Sequence, residues 1–307
     1  ALDVDDVLNV TGNLTTNAVT NDAVVTVTGD FTASGTVTAN DNVNVTGDFE
    51  LADTKDVALA DNKTFDVMGD VTLNGNAQFT TNGTVRLLGD STQTYTAGTS
   101  NFTADTLHIN NSDGIILAGN DLDLSNSALL LDDGVLNARM NSLNVVLMQG
   151  VAASQPDQGF VRAASTADTT FVLGNVVKLI QTGAGNSIHR QNVLYPVGTA
   201  TGIYRPATFY FDEDPGSNVN ITVTAVDSSA EGTNGFPISS DVGDLTGYPD
   251  LYWTITSDID LSASKKYGLK LVGNGYTNFP EEDVEDIRLV RRFGQNTDNE
   301  WRLQSAA

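Results

Sequence analysis

The 307-residue sequence predicts an all-β protein in two parts: an N-terminal β-solenoid over residues 1–152 and a C-terminal antiparallel β-sandwich over residues 153–307. Three observations carry that expectation. A short unit of strand plus glycine turn recurs through the first half. All seven prolines, both tryptophans and seven of the eight tyrosines lie after residue 150. The composition favours strands and turns over helices, with 32 Asp against 7 Glu and abundant Thr, Asn, Val and Gly.

The repeat is visible in NVTGNL (9–14), TVTGDF (26–31), NVTGDF (44–49), DVMGDV (66–71) and RLLGDS (86–91). Its glycines, Gly12, Gly29, Gly47, Gly69 and Gly89, are spaced 17, 18, 22 and 20 residues apart. Each unit reads as a short alternating strand closed by a Gly-Asn or Gly-Asp turn. GTVTA (35–39) and AQFTT (77–81) supply further strands between them. A strand-only repeat of about twenty residues is the length of one solenoid coil. One coil cannot bury its apolar row alone. Stacked coils bury a continuous column, while Thr, Asn and Asp face outward. Proline would delete a rung of the ladder between coils, which accounts for its absence here. A sandwich of ordinary hairpins is the competing arrangement, since Gly-Asp and Gly-Asn turns suit hairpins equally. The column continues through residues 107–150, where Gly114, Gly119, Gly134 and Gly150 punctuate apolar runs.

GVAASQPDQG (150–159) reads as a linker. Beyond it the predicted strands are TFVLGNVVKLIQT (170–182), RPATFYFD (205–212), NVNITVTAV (218–226), LYWTITS (251–257), YGLKLVG (267–273) and DIRLVRRF (286–293). Their spacing and their Pro, Gly and Asp turns match an antiparallel sandwich with long connections.

Charge excludes several functions. The net charge is -24, with 20 acids and 4 bases in residues 1–150 against 19 acids and 11 bases beyond. Nucleic acid and anionic lipid both require basic surfaces and are disfavoured. The chain has no cysteine and two histidines, His108 and His189. Disulfides, thiolate catalysis and Cys-ligated metals are excluded, and a His-rich metal site is disfavoured. No apolar run reaches the roughly 18 residues of a membrane span, so no membrane insertion is expected. The opening ALDVDDVLNV has neither a basic n-region nor an apolar h-region, as in a processed mature chain or a cytosolic protein.

The stretches TVRLLGDSTQTYTAG and FTADTLHINNSDGIILAGNDLDLSNSALLLDDGVLNARMNSLNVVL, then LYPVGTATGIYRPATFYF, LYWTI and DIRLVRR…EWRL, occur in an informative order. Over about residues 84–307 this order resembles large secreted bacterial surface proteins, adhesin-like β-solenoid and β-sandwich chains of the kind exported by the type IX route. The resemblance implies an extracellular, structural or adhesive role. It also marks Asp90-Ser91-Thr92, Asp105-Thr106-Leu107 and Asp168-Thr169-Thr170 as similar to the O-glycosylation triplets of those proteins.

Enzyme signatures are scarce. GxSxG, HExxH and P-loop patterns are missing, and GAGNSIH (183–189) lacks the strand–helix context of a phosphate loop. Paired carboxylates occur at Asp121/Asp123, Asp132/Asp133, Asp212/Asp214 and Asp258/Asp260. Residues two apart on a strand share a face, so Asp121 and Asp123 are the candidate catalytic pair of a polysaccharide-cleaving solenoid and the candidate calcium ligands. Asp3-Val4-Asp5-Asp6, Asp212-Glu213-Asp214 and Glu281-Glu282-Asp283 are further oxygen-rich runs. No other cofactor is expected. Arg288, Arg291 and Arg292 form a basic run, expected either to pair locally with Asp212, Glu213 or Glu285 or to meet the acidic solenoid of another copy. Trp253 and Trp301 are expected in the core. A glycan-binding module would need exposed aromatics, and the first half offers only Phe31, Phe49, Phe65, Phe79, Tyr95 and Phe102.

The leading expectation is an extracellular, non-enzymatic structural protein, a filament, matrix or surface-layer subunit that binds itself, with surface glycans as further candidate partners. Solenoid ends carry unpaired strands that invite strand addition. At this chain's start the candidate interface residues are Leu2, Val4 and Val7.

Overall fold

A computed structural model describes residues 1–147, 160–162, 169–180, 192–211, 216–241, 243–259, 267–273, 288–294 and 296–304. Among them the chain is all-β, with no α-helix and one 3-10 turn at Arg139–Asn141. The predicted linker 150–159 lies outside the described residues.

The first half is a stack of coils. Leu2–Val4, Leu8–Val10 and Leu14–Thr16 make the first coil. Val19–Asn21, Val25–Val27 and Phe31–Ala33 make the second. Each strand pairs in parallel with its counterpart one coil later: Leu2 with Val19, Leu8 with Val25, Leu14 with Phe31. The pattern repeats through Val37–Ala39, Val43–Val45 and Phe49–Leu51, and on to Gln93–Ala97. Three parallel faces result, and the second and third carry eight strands each. Hairpins are therefore excluded over these coils.

Local sequence explains the shape. In VTV (25–27), FTA (31–33), VTA (37–39) and VNV (43–45) the outer two side chains are buried and the middle one is partly exposed. Three-residue strands therefore put two apolar groups inward per face before the chain must turn. Full burial of each Val contributes about 1.5–3 kcal/mol, realised only when a neighbouring coil covers it. Phe31, Phe49, Phe65, Phe79 and Phe102 form an internal aromatic column, with successive centroids 5.4, 4.7, 5.5 and 6.0 Å apart. The column crosses faces as it climbs, since Phe49 lies on the third face, Phe65 on the second and Phe79 on the first.

The first face loses its strand at residues 100–104, but the layers stay joined. Phe102 N–H donates to Asp123 O at 3.1 Å and Thr103 N–H to Phe79 O at 3.0 Å. Leu122–Leu124, Asn144–Leu147 and Asn175–Ile180 then carry the face onward in parallel. At the turn from the second face to the third, a buried corner follows Gly89-Asp90. Gln93 accepts from Gly89 N–H and Asn111 Nδ2, and its own amide donates to Val67 O and Gly69 O. The TQT and INNS segments thus meet in one hydrogen-bonded corner.

Parallel stacking continues past residue 152, through Phe160–Arg162, Val172–Leu173 and Asn175–Ile180. The run 170–182, predicted as one strand, bends within its described part (170–180) at Gly174, whose φ of +131° excludes a side chain, as does Arg139 N, which a Cβ there would meet at 2.9 Å. Asn175–Ile180 is where the fold changes character. One edge pairs in parallel with Asn144–Leu147; the other pairs antiparallel with Val219–Val226, which in turn pairs with Tyr252–Ser257. A second antiparallel sheet, Val193–Tyr195, Ala207–Phe211 and Tyr267–Leu271, connects to the third face by the Val172–Val197 bridge. Both sheets share one buried cluster with the solenoid column. Of the predicted strand 286–293, residues 288–293 are described, and among these Val290–Arg291 forms a strand, paired with Arg302–Leu303.

Candidate functional site

The first described coil, residues 2–16, shows how the layers are joined. Leu2 N–H donates to Ala18 O at 2.7 Å, and Asp22 N–H donates to Val4 O at 2.9 Å. Leu8 N–H donates to Val24 O and Thr28 N–H to Val10 O, both at 3.0 Å; Leu14 N–H donates to Asp30 O at 2.8 Å. Backbone groups of successive strand residues point to opposite edges. The main chains of Leu2, Val4, Leu8, Val10 and Leu14 therefore face the second coil. Those of Asp3, Asn9 and Thr15 face away from it, and among the described residues nothing pairs with them.

The expected interface residues sit as follows. Val4 is buried by its own coils and Leu2 half-buried, and the main chains of both are spent inside the molecule. Val7 is 63% exposed but stands at a turn. The groups able to receive another strand belong to Asp3, Asn9 and Thr15, whose side chains are exposed and polar. Sequence reasoning looked for apolar residues and passed over them; the alternation in LDV, LNV and LTT was the available signal. The half-buried Leu2, Leu8, Val10 and Leu14 leave the end of the apolar column partly uncovered.

The acidic surface is largely committed to holding coils together. Asp30 N–H donates to Asn13 Oδ1 at 3.0 Å, Asp48 N–H to Asp30 Oδ1 at 3.0 Å, and Asp70 N–H to Asp48 Oδ1 at 2.8 Å. Thr94 N–H continues the series to Asp70 Oδ1 at 2.7 Å. The recurring Gly-Asp turn is thus a ladder in which each side chain caps the next coil. Gly47 N–H and Gly69 N–H extend a parallel series to Gly29 O and Gly47 O at 3.1 Å. A side chain on Gly47 would collide with Gly29 and Asp30 of the coil below. Two ion pairs also join coils. Asp66 accepts from Arg86 Nε at 2.7 Å and holds the guanidinium pKa above its usual value; Lys63 Nζ lies 2.9 Å from Asp41 and, by hydrogen bonding, lowers that carboxyl.

Asp121 and Asp123 belong to the same economy. Asp121 accepts Asn144 N–H at 2.8 Å and Asn144 Nδ2 at 2.9 Å, one bond on each oxygen. Asp123 accepts Ser125 N–H at 2.8 Å within its own turn. Both line a shallow indentation with Leu73, Phe79 and Phe102, where the first face is interrupted. No group of three or more metal-ligating side chains converges among the described residues. These two carboxylates alone do not fit the six to eight oxygens that calcium takes. The runs 212–214 and 281–283, the segment 183–189, Asp168, Asp260 and Glu285 lie outside the described residues.

The arginines of the basic run act separately. Arg288 forms a two-bond pair with Asp241, at 2.8 and 2.9 Å, a partner not anticipated from the sequence. Arg291 stacks 4.6 Å from the centre of the exposed Phe293 ring, and Arg292 lies 4.9 Å from that of Trp301. Trp301 is buried with Phe236 and Tyr248, while half-buried Trp253 donates Nε1–H to Arg205 O at 2.9 Å. Phe31, Phe49, Phe65, Phe79, Tyr95 and Phe102 are all buried, which leaves the described solenoid faces without an aromatic platform. No helix of the described residues is long and apolar enough to cross a membrane.

Comparison with protein families, with curated proteins and with solved structures gives no match.

Proposed function

We propose that the protein is an extracellular structural or adhesive module that self-associates by strand addition at exposed β-edges. The parallel stack carries this reading: its layers are joined by main-chain bonds from coil to coil, and an edge such as that of Asp3, Asn9 and Thr15, unpaired among the described residues, can receive strands of another copy in the same way. The resemblance to secreted adhesin-like surface proteins supports the location and the absence of catalysis. A polysaccharide-cleaving reading has less support, since Asp121 commits both oxygens to Asn144.

Proline scanning of the edge tests the proposal. Asn9→Pro and Thr15→Pro each delete an outward N–H and no bond inside the molecule, and proline is tolerated on edge strands. Sedimentation velocity should show concentration-dependent assembly of the wild type and its loss in both variants, with unchanged circular dichroism. Leu8→Pro, which deletes the bond to Val24 O, should instead lower stability. A wild type that stays monomeric at every concentration and salt, or an Asn9→Pro chain that assembles like it, overturns the proposal.

A further inference from the structure

Where the first face has no strand, at residues 100–104, a side chain from the third face lines the surface indentation. Tyr95 belongs to an inward row that runs Phe31, Phe49, Val71, Tyr95, Leu117 from coil to coil. It is the polar member of that row. Tyr95 is only 2% exposed, and it shares the lining of the indentation with Asp121 and Asp123. Among the described residues nothing hydrogen-bonds its hydroxyl. Burial raises the phenol's pKa, so the group is neutral at neutral pH and able both to donate and to accept. A buried hydroxyl without a partner is costly. Phenylalanine, which the same row uses twice, would fill the column without that cost. The hydroxyl therefore points to a group received from outside.

The surroundings narrow the chemistry of that group. Asp123 accepts Ser125 N–H on Oδ1, which leaves Oδ2 without a bond among the described residues. Asp121 takes one bond on each oxygen, and each carboxylate oxygen has a second lone pair. Two carboxylates and a phenol make three acceptors with two negative charges. The room between them is about that of one water molecule. A guanidinium is too broad for it, and calcium takes more oxygens than converge here. Water has two hydrogens for three acceptors and leaves the charge unmet. A primary ammonium has three N–H donors, a positive charge and the required size. Apolar Leu73 and Leu122, also in the lining, suit a hydrocarbon stem. The excess of 20 acids over 4 bases in residues 1–150 draws cations to this half of the chain.

We propose that the indentation binds a primary ammonium group, which donates its three N–H bonds to Asp121, Asp123 and the Tyr95 hydroxyl, with its carbon stem over Leu73 and Leu122. The site stands apart from the strand edges and does not depend on self-association. Its ligand is a free alkylamine or the lysine side chain of another protein, both of which present the same ammonium.

Titration of the full chain with n-butylammonium chloride, followed by the amide NMR signals of residues 100–104, tests the site. Saturable shifts are expected with a Kd on the order of 1 mM. Binding should weaken about tenfold in Tyr95→Phe and in Asp123→Asn. Tyr95→Phe should melt no lower than the wild type, because it removes a hydroxyl that has no partner, so its weaker binding is not a loss of fold. Nα-acetyl-lysine methylamide separates the sources. Binding as tight as that of butylammonium supports a lysine side chain, and binding of butylammonium alone supports a free amine. Tetramethylammonium chloride, which carries no N–H, and potassium chloride should leave the signals in place. Equal shifts from either salt, binding undiminished in either variant, or no saturable shift with any amine, as for a site that holds water only, overturns the proposal.

Discussion

Replacing Asp48 by Asn and by Ala separates the two jobs of the aspartate ladder. Asp48 Oδ1 caps Asp70 N–H at 2.8 Å, while its own N–H is capped by Asp30. With coils about 4.8 Å apart, each neighbouring carboxylate repels Asp48 by about 0.9 kcal/mol in a water-like dielectric. Screening at physiological salt roughly halves this, so the two neighbours together cost about 1 kcal/mol. An amide keeps the acceptor but gives up the charge-assisted part of the bond, also about 1 kcal/mol. Asp48→Asn should therefore leave stability near the wild-type value. Asn13 supports this, since it caps Asp30 N–H with an amide oxygen in the same ladder. Asp48→Ala loses the bond as well and should fall about 1 kcal/mol below Asp48→Asn. Urea unfolding at about 20 mM and 500 mM NaCl, a range over which the screening length changes severalfold, reads both effects. The gap between Asn and Ala should ignore salt, whereas the wild type should lose ground to Asn at low salt. Equal losses in the two variants, or a wild type indifferent to salt, would refute the ladder as the reason for the Gly-Asp turn.

Two further outcomes are expected. Phe49→Ala should cost about 3–5 kcal/mol in chemical denaturation, because Phe49 is buried against Phe31, Phe65 and Phe79, whereas Phe49→Leu should cost much less. The Asp41 carboxyl is held below its usual value by its hydrogen bond from Lys63, so its stabilisation is complete above about pH 4 and disappears as pH falls through the lowered folded value. Lys63→Met should flatten that acid limb of a stability–pH curve, and an unchanged curve would show the pair to be idle.

The solenoid was legible because its information is local. In TVTGDF, the alternation sets which side chains face inward, glycine permits close approach to the coil below, and aspartate supplies the cap. These features recur at about the coil spacing, so five repeat units could be located from sequence. Legibility declined where the repeat was broken. The gap in the first face at residues 100–104 and the Gln93–Asn111 corner depend on contacts between coils, not on a pattern within one. Arg288 and Asp241 are 47 residues apart, and no nearest-acid rule would have matched them. Asp121 and Asp123 suggested a site because spacing puts them on one face. Only the position of Asn144, one coil later, shows that Asp121 acts as a cap.

Composition and periodicity by themselves determined the strand class, the coil length, the inward rows and the lack of a basic or thiol chemistry. The tertiary structure decided that the solenoid runs on into antiparallel strands through Asn175–Ile180. The physical reason is that strand formation follows from each residue's immediate neighbours, whereas an edge is free or paired according to where distant segments come to lie. Which backbone groups remain available to another molecule is a property of the whole stack.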